Sequence, residues 1–125
     1  MSHSPRPVFL NPLRLQMPVG AVTSILHRIT GLFMAIGIPI SVYLVDCSLQ
    51  SPEKFAEVLA LLMYWPAKLG AMLMMWALAF HVLAGLRHFL SDFNIASTLF
   101  AARRSAWAVF AGSVVIAFLA AGAMW

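Results

Sequence analysis

Three long apolar runs, each closed by polar or aromatic residues, set the pattern of this chain. Residues 29–45 carry no charge, residues 69–86 are apolar apart from His81, and residues 107–125 are uncharged with a tryptophan at each end. Each run is close to the ~20 residues needed to cross ~30 Å of hydrocarbon. The pattern predicts membrane spans at about 18–45, 66–90 and 107–125. Pro18 suits a first helical turn, where its missing N–H is not needed, and Pro39 predicts a kink that a membrane helix tolerates. Between the first two runs, Ser51-Pro52-Glu53 reads as an N-cap, a first-turn proline and an acid on the positive helix end. A short helix over about 52–63 follows, and Trp65-Pro66 resets the chain at an interface. Residues 92–104 are predicted as a loop. The fold class is all-α membrane protein: three transmembrane helices in an up-down-up bundle with a short interfacial helix, in one domain over 1–125.

Residues 1–17 are polar and rich in proline, and lack the unbroken apolar core of a signal peptide. An extended segment at the membrane surface or against a partner is predicted there. The protein either inserts by its own spans or is an already processed form.

Composition agrees with lipid as the solvent. The chain is 62% hydrophobic and 10% charged, against roughly 45–50% and about 25% in soluble domains. Its net charge of +4 does not make a nucleic-acid patch, because the basic residues sit at the ends of apolar runs. Arg6, Arg14, Arg28, Arg87, Arg103 and Arg104 fall on one side of the bilayer with the N-terminus, while Lys54 and Lys68 fall on the other with Asp46, Glu53 and Glu57. The positive-inside rule places the arginine side in the cytoplasm or matrix. Cys47 is the only cysteine, so no internal disulfide and no cysteine-based metal site can form, and the absence of C-x-x-C-H excludes covalent c-type haem.

Two groups of polar residues lie where ionisable side chains are costly and therefore suggest function. The first is His81, Gly85, His88 and Asp92, whose spacings of four, three and four stack them on one helical face. His81 lies on the order of 10 Å deeper than the Arg87–His88 end. It is read either as a histidine bonded to a backbone carbonyl, or as an axial ligand to haem. In the haem reading Gly85 gives clearance for a flat macrocycle, and Arg87 and His88 neutralise propionates at the surface. Asp92 orients His88 or closes the helix. Met72, Met74 and Met75 read as packing.

The second group is Ser24, His27, Arg28 and Gly31 on one face of the first span. Arg28 alone reads as an arginine snorkelling to the surface. With Ser24 one turn away and His27 beside it, the set provides hydrogen-bond donors and a cation for a quinone headgroup. Arg103-Arg104 reads as an orientation signal, Cys47 as inert, Trp65, Trp107 and Trp125 as interfacial anchors, and Trp76 as packing.

Ser24-Ile-Leu-His-Arg-Ile-Thr-Gly31 and His81-x-x-x-Gly-x-Arg-His88-x-x-x-Asp92, with Arg6-Pro7 and Ser51-Pro52-Glu53, make nearly the whole chain resemble a known family. It is similar to the cytochrome b membrane anchor, of the large-anchor type, of succinate dehydrogenase (respiratory complex II). The resemblance implies that His81 is an axial ligand to one haem b and its iron, with the other ligand from a second anchor subunit. It implies that Arg87 and His88 lie beside the propionates, and that Ser24 and Arg28, with His27 close by, form the ubiquinone site. It implies an iron–sulfur subunit, a flavoprotein subunit and a second anchor as partners, and work in the tricarboxylic acid cycle and respiratory electron transport. The chain departs from many members at Phe9-Leu10-Asn11-Pro12. Nothing in it resembles a flavin, dicarboxylate or iron–sulfur site, so it is a non-flavin subunit, not catalytic alone. A multi-pass location in the bacterial inner membrane with the N-terminus cytoplasmic is expected, in preference to the mitochondrial inner membrane. The rival readings are a structural anchor or proton-relay subunit without haem, and a haem bridged by His27 and His81 of this one chain.

Overall fold

The computed structural model describes residues 19–93, 95 and 98–123. The expected surface segment 1–17, the helix start at Pro18 and the anchor Trp125 lie outside the described residues. Four helices make up the regular structure: α1 (Val19–Gln50), α2 (Pro52–Met63), α3 (Trp65–Asp92) and α4 (Leu99–Ala123). Among the described residues there is no strand. α1, α3 and α4 are each long and apolar enough to cross a membrane.

Local chemistry accounts for the boundaries. Ser51, in extended backbone, accepts the Lys54 N–H on its side chain and the Phe55 N–H on its carbonyl, and Pro52 opens the first turn of α2. Tyr64 alone separates α2 from α3, again in extended backbone. α1 runs unbroken through Pro39 and five residues beyond the predicted end. Its last turns are closed locally, with Ser48 donating to the Val45 carbonyl and Gln50 to Asp46. At ~1.5 Å per residue this helix is some 18 Å longer than ~30 Å of hydrocarbon, so its ends stand in the interface.

α4 departs further from expectation, starting at Leu99 instead of near Trp107. Thr98 caps it: the Ala101 N–H donates to Thr98 Oγ1 at 3.3 Å and the Ala102 N–H to the Thr98 carbonyl at 2.9 Å. Arg103 and Arg104 are therefore helical, and most of the predicted loop 92–104 is not loop. Apolarity marks only the part of a helix inside lipid, whereas backbone hydrogen bonding continues into the interface.

α3 is the central helix, packed on α1 along one side and α4 along another. The core on the α4 side is Phe80, Ala84 and Val109, with Leu26, Trp76, Leu83 and Phe110 around them. Trp76 and Phe110 meet Phe80 with ring centroids 5.6 and 5.3 Å away, so Trp76 is packing, as expected. Small residues let the helices approach: Ala77, Ala79, Ala84, Ala106, Ser113 and Ala121 are all buried. Large apolar side chains such as Leu32, Ile36, Val42, Phe118 and Leu119 face outward. In α1 the two buried side chains are polar, Thr23 and Thr30, each bonded back to the preceding turn. Such a helix is built for lipid outside and polar contact inside.

Candidate functional site

The site lies where the first turns of α1 cross the last turns of α3. His27, Thr30 and Gly31 come from α1; His81, Gly85 and His88 come from α3. The His81 Nδ1 is 3.0 Å from the His27 carbonyl oxygen and 3.2 Å from Thr30 Oγ1. A carbonyl can only accept, so the hydrogen-bond network assigns the proton to Nδ1. Nε2 is then left with its lone pair. The Thr30 hydroxyl lies 2.8 Å from the Leu26 carbonyl and 3.0 Å from that of His27, and donates its own proton there.

Two glycines make this approach possible. A Cβ at position 31 would come 2.9 Å from Cε1 of His81, and one at position 85 would come 3.4 Å from Nε2 of His27. Each imidazole therefore lies over the glycine of the opposite helix. Their rings stack, with centroids 4.0 Å apart and planes 16° from parallel. His88 meets the other two through His27, its ring tilted by 57° at a centroid distance of 5.3 Å. The three imidazoles form one column, with His27 in the middle.

The column bears on the rival readings. An iron bridged by two imidazoles needs both rings to point edge-on at the metal from opposite faces of the macrocycle. Rings stacked face to face at 4.0 Å leave no space for it, so the arrangement bridged by His27 and His81 does not fit this structure. Among the described residues no ring-to-ring hydrogen bond joins the histidines, and no group of three or more His, Cys, Asp or Glu is placed to hold a metal ion. Ligation through the free Nε2 of His81 does fit. A metal-binding histidine characteristically donates its other ring N–H to a carbonyl, which fixes tautomer and direction. The carbonyl-bonded and ligand readings of His81 thus describe different nitrogens of the same ring.

The other candidate residues are distributed less simply. Ser24 is half-buried and Arg28 exposed on the same stretch of α1. His27 and Gly31 turn towards α3, whereas Arg28 has no hydrogen-bond or ion-pair partner among the described residues. Arg87 turns to α4: its Nε donates to Ser105 Oγ at 3.1 Å and its Nη2 to the Ala102 carbonyl at 3.3 Å. The same guanidinium reaches α1, since a Cβ on Gly20 would lie 3.2 Å from Nη2. One residue step turns a helix by about 100°, so Arg87 and His88 leave α3 in different directions. Asp92 is exposed, with no ion pair among the described residues.

Thr30 and Ser105 are not among the residues singled out in the sequence, whereas Gly31 stands in the group with Ser24, His27 and Arg28. Thr30 carried a faint signal, standing one turn after His27 in the same motif. Ser105 carried none.

Comparison with known proteins gives a consistent picture. Residues 2–120 match the family described as Succinate dehydrogenase/Fumarate reductase transmembrane subunit. The succinate dehydrogenase cytochrome b556 subunit of Paracoccus denitrificans is 37% identical over 107 residues, covering 83% of this chain and 80% of the relative. The succinate dehydrogenase cytochrome b556 subunit of Coxiella burnetii (strain RSA 493 / Nine Mile phase I) is 34% identical over 122 residues, covering 96% and 97%.

Proposed function

We propose that this chain, which belongs to the succinate dehydrogenase/fumarate reductase transmembrane subunit family, holds a b-type haem jointly with a second anchor subunit and helps to reduce ubiquinone. As a family member it is a membrane subunit of an oxidoreductase complex. Its relatives are named as cytochromes b556, which supports the haem. The observation that carries the reading is the His81 ring, whose Nδ1–H is engaged by the His27 carbonyl while Nε2 has no hydrogen-bond partner among the described residues.

A b-type haem supplies a one-electron carrier at membrane depth. His81 would hold it from this chain, with a further ligand supplied by the second anchor. His88 would serve its propionates. Arg87 offers a carboxylate the guanidinium donors that α4 does not engage. Electrons from succinate arrive through the flavoprotein and iron–sulfur subunits.

The quinone chemistry belongs to Ser24 and Arg28, with His27 linking that cluster to His81. Two electrons and two protons convert ubiquinone to ubiquinol. The Ser24 hydroxyl donates a hydrogen bond to one quinone oxygen, and the Arg28 guanidinium balances the negative charge that develops there, as preorganised donors do for any oxyanion. The exposure of Arg28 suits a charge completed by neighbouring subunits and substrate. Protons enter from the arginine-rich side, which is the cytoplasm if the bacterial inner membrane is the host, with the N-terminus on that side and three spans following.

A reduced-minus-oxidised spectrum of the purified complex tests the haem. The expected b-type band is absent in His81→Ala, and a band indifferent to that change overturns the assignment. Arg28→Leu tests the quinone site: quinone reduction falls by about 10²-fold, the scale of a lost oxyanion donor, while succinate oxidation by a soluble dye persists. Equal loss of both overturns it.

A further inference from the structure

We propose that Thr30 is a positioning residue for His81, its hydroxyl oxygen sharing the Nδ1–H with the His27 carbonyl and so setting how strongly the imidazole donates electrons through Nε2. The inference rests on His81 being the haem ligand and goes beyond it, because it assigns the tuning of that ligand to a side chain of α1.

The geometry is specific. Thr30 is 2% exposed, so water cannot replace its oxygen. Its hydroxyl proton is committed to the carbonyls of the preceding turn, 2.8 Å away at Leu26 and 3.0 Å at His27. A hydroxyl with its proton engaged can only accept from a further donor. The His81 Nδ1 is that donor, at 3.2 Å. Nδ1–H is therefore shared between two acceptor oxygens that lie 3.0 Å from each other, which fixes the tautomer of the imidazole. Hydrogen bonding at this nitrogen raises the basicity of the other one. A more basic ligand favours the oxidised, more positively charged iron, so Thr30 holds the reduction potential down.

Thr30→Val preserves the shape and removes the oxygen, and Thr30→Ser preserves the oxygen and removes the methyl. Redox titration of the b-type band in the purified complex is the readout, with low-spin electron paramagnetic resonance as a second signature. T30V is expected to shift the oxidised-to-reduced ratio about tenfold towards the reduced form, an upward change of ~59 mV for a one-electron couple. T30S is expected to restore the wild-type potential. A merely structural threonine, bonded only to its own helix, would leave the potential and the resonance unmoved. An unchanged potential in T30V, with a band still lost in His81→Ala, overturns this inference alone. A wild-type band that survives His81→Ala overturns the haem reading and this inference with it. If T30V fails to assemble, as judged by dye-linked succinate oxidation, Thr30→Ala removes the same oxygen with less crowding and is judged by the same criteria.

Discussion

Gly31 of α1 lies directly against the His81 ring of α3, with room for a hydrogen atom and for nothing larger. A methyl group there would stand 2.9 Å from Cε1, closer than van der Waals contact allows, and 3.5 Å from Nδ1, the atom that the His27 carbonyl holds. Gly31→Ala is therefore expected to push the imidazole off its acceptors. Loss of such a supporting contact commonly weakens metal binding by ~10–100-fold. The haem-to-protein ratio of the purified complex should drop accordingly.

His27 contributes to His81 in two separable ways, through its ring and through its backbone. The carbonyl holds Nδ1–H at 3.0 Å, and the ring only stacks. His27→Ala should then keep the b-type band, because the carbonyl survives the substitution. Disappearance of the band would show that the ring itself is required, contrary to this arrangement.

Phe80 and Phe118 offer a contrast in what apolar side chains do in a membrane. Phe80 is 0% exposed between Trp76 and Phe110, whereas Phe118 is 72% exposed on α4. Lipid is as apolar as a protein core, so little transfer free energy separates the two sites and lost packing decides. Phe80→Ala should destabilise by roughly half of the ~3–5 kcal/mol seen in soluble cores, and Phe118→Ala by much less. Thermal unfolding of the detergent-solubilised complex measures both. Equal midpoints would refute the packing argument.

Outside the bilayer, α2 depends on its first turn. Ser51 caps it, and a hydrogen bond from the Ser51 hydroxyl, followed by a backbone N–H, holds the Glu53 carboxyl below its usual range. A carboxyl lowered on folding adds stability above its unfolded pKa, and that share fades as pH falls through the folded pKa. Ser51→Ala should weaken the helix by about 1 kcal/mol and blunt this acid sensitivity. Protease accessibility of the α1–α2 junction as a function of pH reports both effects.

The spans were legible because the bilayer acts on the chain one residue at a time. Any stretch of ~20 apolar residues must cross or aggregate, and no knowledge of neighbours is needed to see it. The start of α2 was legible for a similar reason, since Ser51, Pro52 and Glu53 act on the backbone beside them. The start of α4 was not, because Thr98 is a single cap among interfacial residues without the apolarity that draws attention to a span. At the site, residue types and spacing nominated His81, Ser24, His27, Arg28, Arg87 and His88 on their helices. They carried no information on which sides of those helices meet.

That choice was made by packing. Thr30 and His81 are 51 positions apart, and Arg87 finds Ser105 18 positions on. Such pairs follow from the helix rotations that let Phe80 and Ala84 pack against α4 while Gly31 admits an imidazole from α3. The sequence by itself determined a three-span membrane protein with histidines at depth, because solvent and local hydrogen bonding dictate those features residue by residue. Only the tertiary structure decided that His27 and His81 stack instead of facing each other across a metal, that Nδ1 of His81 is engaged, and that Thr30 shares that engagement. The physical reason is that each is a distance between two helices, set by the small residues that let them touch.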